Sequence, residues 1–81
     1  MMRRVGQVVR TAQGLAILRA NPDTDDDRLR EEIGTMVLDD SLESVGRVVD
    51  VFGPVDGPYL AVTPDDDVHL PTLVGTTLYA R

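Results

Sequence analysis

Residues 45–63 read VGRVVDVFGPVDGPYLAVT. Val45 to Phe52 is the longest strand candidate in the chain. Gly53 to Pro58 (GPVDGP) follows as a stiff loop, because its prolines fix φ and its glycines are free to take positive φ. Tyr59 to Thr63 then reads as a further strand. Side chains alternate across a strand, so Leu60 and Val62 share one face while Tyr59, Ala61 and Thr63 share the other. The Leu60 and Val62 face is the expected core. The run from Val45 to Phe52 divides less cleanly. One face carries Val45, Val49 and Val51 around Arg47, and the other carries Val48 and Phe52 around Asp50. Both faces are substantially apolar.

Outward from this stretch the same strand chemistry recurs. Val5 to Arg10 and Leu15 to Arg19 flank a Gln13-Gly14 turn and predict a hairpin. Asn21 to Asp27 (NPDTDDD) is loop chemistry, and Arg28 to Ile33 is expected to form one helical turn. Thr35 to Leu38 is a third strand, followed by an Asp39-Asp40-Ser41 turn. Leu73 to Gly75 is a short turn, and Thr76 to Ala80 is the sixth strand, with Leu78 and Ala80 on one face and Thr77 and Tyr79 on the other. Six short strands punctuated by Gly, Pro and Asp argue for an all-β fold, a small six-stranded β-barrel or sandwich, formed by residues 1–81 as one domain. No internal repeat is read along the chain. A barrel this small has one interior, so apolar side chains on both faces of one strand imply surplus apolar surface outside, which is expected to meet a partner. Phe52 and Tyr59 flank the GPVDGP loop and suit such an interface, since a proline-stiffened loop loses little entropy on docking. The alternative is that Phe52 plugs one end of the barrel and Tyr59 covers an edge.

With 81 residues and no cysteine, the chain has neither disulfides nor thiolate metal sites. No apolar run approaches the roughly 20 residues that span a bilayer, and MMRRVGQVVR has no apolar signal region. The expectation is a cytoplasmic protein without membrane contact. Fourteen acids face eight bases, a net charge of −6, and every base is arginine. Such an acid-biased, lysine-free surface resembles proteins of salt-accumulating cytoplasms. The four arginines of residues 1–20, without any acid, fit a phosphate-binding patch or, preferably here, the solvated side of an edge strand.

Three aspartate groups, Asp25 to Asp27, Asp39-Asp40 and Asp65 to Asp67, raise a metal reading, but none follows the spacing of a calcium loop and solvated acidic loops are expected. His69 has no evident nucleophile partner, and Ser41 and Ser44 sit in no nucleophile elbow. Glycine-rich phosphate motifs are absent. The chain is therefore expected to be no enzyme, with no metal and no cofactor. A free-standing RNA-binding barrel is a rival, yet three aromatics and an acidic loop set fit it poorly.

The stretch DDSLESVGRVVDVFGPVDGPY, Asp39 to Tyr59, closely resembles the signature of the Gar/Naf family of small β-barrel proteins of H/ACA ribonucleoproteins. The matching positions are Asp39, Leu42, Val45, Gly46, Val48, Asp50, Phe52, Gly53, Pro54, Pro58 and Tyr59. GQVVRTAQGLAILRA is similar to that family's first hairpin, Ile33-Gly34 to its lead into strand three, and LVGTTLYAR to its last strand. The acidic segment Asp23 to Glu32 departs from the pattern, and the glycine-arginine-rich tails of eukaryotic relatives are missing. The compact length resembles the archaeal Gar subunit more than the longer Naf assembly factor. The resemblance implies a six-stranded barrel like those of translation factors. It also implies a non-catalytic role in rRNA pseudouridylation, with docking on the catalytic domain of a TruB-like, dyskerin-homologous pseudouridine synthase subunit. Contact with the guide RNA would be indirect, through the particle, and the subunit would influence substrate loading and product release. The expected partner-binding residues are Val48, Phe52, Gly53, Pro54, Val55, Pro58 and Tyr59. A Naf-like assembly factor is the nearest alternative.

Overall fold

A computed structural model describes residues 2–20, 26–54 and 56–80. Six strands form in chain order: β1 (Arg3–Ala12), β2 (Leu15–Ala20), β3 (Met36–Leu38), β4 (Ser44–Phe52), β5 (Tyr59–Pro64) and β6 (Thr77–Ala80). They close into an antiparallel barrel in the order β1-β2-β5-β4-β3-β6. Helix α1 (Asp26–Glu31) precedes β3, and a 3-10 helix (Leu70–Leu73) precedes β6. The helix begins earlier than the sequence reading placed it. At six residues it is too short to stand alone, and it is held by Leu29, which is buried in the barrel core. The β1–β2 hairpin turns at Gln13-Gly14, both at positive φ (54° and 77°), the backbone of a two-residue turn that suits the twist of paired strands.

The chain contains an internal repeat that the linear reading did not detect. Val5-Gly6-Gln7-Val8-Val9 in β1 matches Val45-Gly46-Arg47-Val48-Val49 in β4. The match is structural as well. Val9 is an extra residue between Val8 and Arg10 in the ladder with β2, and Val49 between Val48 and Asp50 in the ladder with β5. Val5 and Val45 interrupt the ladders of β1 with β6 and of β4 with β3 in the same way. The Val8 amide donates to the Thr76 carbonyl (2.9 Å) and the Val8 carbonyl accepts from the Gly75 amide (2.8 Å). The Val48 amide likewise donates to the Thr35 carbonyl (3.0 Å), and its carbonyl accepts from Gly34 (2.8 Å). Gly34 and Gly75 each precede a threonine and sit at φ 92° and 91°. A pseudo-two-fold thus relates β1-β2-β3 to β4-β5-β6. Its axis passes through the facing pairs Ile17–Ala61 and Leu38–Tyr79, each of which maps onto itself. The repeat is masked along the sequence because the halves differ in their connections. The first hairpin loop is Gln13-Gly14, whereas the second runs from Gly53 to Pro58.

The bulges also correct the expected faces of β4. Each inserts one residue and reverses the alternation. Val45 and Val48 therefore both enter the core, and Val51 packs against it, while Val49 and Phe52 point outward. The interior is aliphatic: Leu18, Leu29, Leu60, Leu78, Val8, Val37, Val48 and Val62 are its largest fully buried side chains. Leu60 and Val62, and Leu78 and Ala80, are buried as their alternation predicts. Among the glycines, Gly6 and Gly46 lie tightest against neighbouring backbone. A Cβ on either would collide with a facing carbonyl oxygen, that of Arg19 or Thr63.

Candidate functional site

Phe52 ends β4 and Tyr59 begins β5, and the two are direct cross-strand partners. Their rings stack with centroids 5.8 Å apart and planes inclined by 26°. Phe52 is 38% exposed and Tyr59 half-buried, so the stack stands on the outside of the barrel. This excludes Phe52 as a barrel plug. The loop between them is fixed at three points. Gly53 takes φ 95°, with the Tyr59 ring 3.0 Å from where a Cβ would stand. The Gly57 amide donates to the Pro54 carbonyl (3.1 Å), and the Pro58 carbonyl accepts from the Ala20 amide at the end of β2 (3.1 Å). Pro54 is exposed and Pro58 half-buried.

Of the residues expected to bind a partner, Phe52, Gly53, Pro54, Pro58 and Tyr59 come together at this corner. Val48 does not. It is 1% exposed in the barrel core, because the bulge at Val49 turns it inward. Val55 lies outside the described residues.

The outer sheet face beside the loop is apolar in composition as well. Ile17 and Ala61 are 5% and 3% exposed, yet neither belongs to the core cluster. They pair with each other on the outer face of β2 and β5. There they floor a shallow cavity of about 510 Å³ that Ala12, Leu15, Val49 and Phe52 also line. Arg10 and Asp50 stand at its two sides, as the next cross-strand partners of Ile17 and Ala61. Linear reasoning identified the two-sided apolar character of Val45 to Phe52 but not that of Leu15 to Leu18, where Leu15 and Ile17 alternate with Ala16 and Leu18. That doubling was the available signal.

Among the described residues the acidic groups do not form a comparable site. Asp39 Oδ1 accepts from the Ser41 and Glu43 amides (2.9 and 3.0 Å), which ties the β3–β4 turn. Asp65 accepts the Ser44 hydroxyl (2.6 Å). Among the described residues no three His, Cys, Asp or Glu side chains are grouped to hold a metal ion. The side chains of Asp25 to Asp27 lie outside what is described. No helix among the described residues is long and apolar enough to cross a membrane.

Compared with solved structures, the whole chain superposes on 87% of the Gar1 domain of NAf1, with a TM-score of 0.68 and 14% sequence identity. The fold is Gar1-like. At that identity the likeness is one of architecture: the closed six-stranded barrel is shared. No family model and no curated protein matches the sequence.

Proposed function

We propose that this chain is a non-catalytic, Gar-type protein subunit of an H/ACA guide-RNA ribonucleoprotein. It docks on the catalytic domain of a TruB-like pseudouridine synthase subunit and promotes substrate loading and product release in rRNA pseudouridylation. The observation that carries this reading is the outward Phe52–Tyr59 stack beside a loop clamped at Gly53, Gly57 and Pro58, on a Gar1-like barrel. The Asp39 to Tyr59 signature agrees with it, since its last positions, Phe52, Gly53, Pro54, Pro58 and Tyr59, lie at this corner. Exposed aromatics on a rigid support are the usual anchors of a protein interface. The stack and the outer face offer apolar area and no reacting group, so the role is to bind and position. Phe52, Gly53, Pro54, Pro58 and Tyr59 are the contact residues, with Val55 in the same loop.

A second reading is supported by the identity of the structural neighbour, a domain of NAf1. The chain would then act as a Naf-like assembly factor at the same docking site. Retention distinguishes the two. Native purification of the protein from its cells tests both: a mature particle containing the synthase subunit and guide RNA is expected. Recovery only with synthase lacking guide RNA selects the assembly factor. Recovery with neither overturns the docking reading.

A further inference from the structure

We infer, building on the docking reading, that the partner surface covering the Phe52–Tyr59 stack carries a carboxylate that lies between Arg10 and Arg19, and that these two arginines set the orientation of docking.

On the outer face, Gln7, Arg19, Tyr59 and Phe52 form one cross-strand row over β1, β2, β5 and β4. Arg19 is thus the direct neighbour of Tyr59. Arg10, opposite Ile17 in the next row, is the diagonal neighbour of Arg19. Residues in that diagonal relation stand about 7–8 Å apart, within reach of long side chains. Both arginines are exposed. Among the described residues Arg3 pairs with Glu32, but neither Arg10 nor Arg19 has an acidic partner. Two cations side by side repel, and nothing described in the barrel neutralises them, although the chain holds fourteen acids.

A partner that covers Tyr59 also covers Arg19. Covering an unpaired guanidinium strips it of water, a cost that only a new acceptor offsets. A carboxylate suits the place, because its two oxygens can accept from both guanidinium groups at once. The net charge of −6 works against the other candidate acceptor, the phosphate of a nucleic acid.

The same charges break the pseudo-two-fold of the barrel. That axis takes Phe52, Tyr59, Arg19 and Arg10 to Ala12, Leu15, Thr63 and Asp50. The backbone therefore offers nearly the same sheet in two orientations, but only one sets cations beside the aromatic stack. In the other, Asp50 takes the place of Arg10 and repels the carboxylate. Charge discriminates between the orientations while the stack supplies the affinity.

Calorimetry of the full chain with a purified TruB-like synthase subunit from the same cells tests this, with and without guide RNA, at about 0.2 and 2 M potassium chloride. Arg10→Glu and Arg19→Glu should each weaken docking about tenfold or more at the lower salt, because each sets like charges in contact. The deficit should shrink to about threefold or less at the higher salt, where the Debye length is below about 3 Å. Arg47→Glu is the matched control. It changes the net charge equally, is exposed, and lies at the pseudo-equivalent of Gln7 on β4. Its affinity should stay within about threefold of native, since a distant exposed charge is screened. Circular dichroism establishes that each variant is folded. Native docking with either Arg10→Glu or Arg19→Glu unaffected would overturn the proposal and leave the docking reading intact. An equal loss in Arg47→Glu would reduce the effect to net charge, and a loss confined to samples with guide RNA would assign the arginines to phosphate; either overturns the proposal. No complex with the native chain would remove the docking reading and the proposal together.

Discussion

A Cβ at Gly53 would meet the Tyr59 ring at 3.0 Å, on a backbone already at φ 95°. An L-residue in that left-handed region costs about 1–2 kcal/mol, and here the ring must shift as well. Gly53→Ala should therefore destabilise the barrel modestly and misplace the aromatic stack. Thermal melts and partner titration of the same sample check both effects. Phe52→Ala should behave differently. Phe52 is 38% exposed and outside the core, so its loss should leave the melting temperature within a few degrees of native. Truncating an interface anchor costs about 2 kcal/mol of binding or more, and the synthase affinity of this variant should fall accordingly, near thirtyfold. Val48→Ala is the mirror case. Its side chain fills the core at 1% exposure, and emptying it should cost about 2 kcal/mol of stability while the folded fraction docks normally. Melts and calorimetry on the pair of variants separate the two roles. Residue by residue, the sequence left open whether Phe52 faced a partner or plugged the barrel, and the structure puts it outside. The sequence misplaced Val48, because strict alternation carries no information about a bulge one position later.

The bulges themselves belong to the scale of elements. Val49 is extruded where the Val48 amide and carbonyl are claimed by Thr35 and Gly34, thirteen and fourteen residues upstream in the chain. No local propensity encodes that choice, which is why the face of β4 was not legible in the run itself. The strand positions were legible, since Val, Ile and Leu alternate between Gly, Pro and Asp breakers. The doubled VGxVV signature was also present in the sequence, but loops of unequal length hid its spacing. The two halves lead to a paired expectation. Gly6→Ala and Gly46→Ala should each destabilise severely, by about 3 kcal/mol or more, because each puts a methyl group into a facing backbone carbonyl that cannot swing aside. Denaturant titrations of the two variants should give similar losses. A tolerated substitution at either site would show that the close strand contact there is adjustable and that the halves are not mechanically equivalent. The long Gly53 to Pro58 loop is where the second half departs from the first, and the candidate docking corner is built on that departure.

At the scale of the whole molecule, charge decides. Fourteen carboxylates and eight arginines share a chain of 81 residues. At about 0.01 M ionic strength the Debye length is near 30 Å, so these charges repel across the entire barrel, whereas at about 1 M it is near 3 Å. The melting midpoint should therefore rise markedly between dilute buffer and molar potassium chloride, and excluded salts should strengthen burial of the aliphatic core as well. An unchanged midpoint would remove the salt-adapted reading of the composition and leave the fold untouched. The same charge should keep unrelated RNA weakly bound, above micromolar near physiological salt, as a gel-shift or anisotropy titration would show. Submicromolar binding would revive an RNA-binding barrel. The docking claim is tested most directly by isothermal calorimetry of this protein with a purified TruB-like pseudouridine synthase subunit from the same cells at about 0.2 and 2 M potassium chloride. A one-to-one complex is expected, with an affinity that holds or rises with salt, because apolar burial is strengthened while charge pairing is screened. No complex at either salt, or one that vanishes as salt rises, would contradict it.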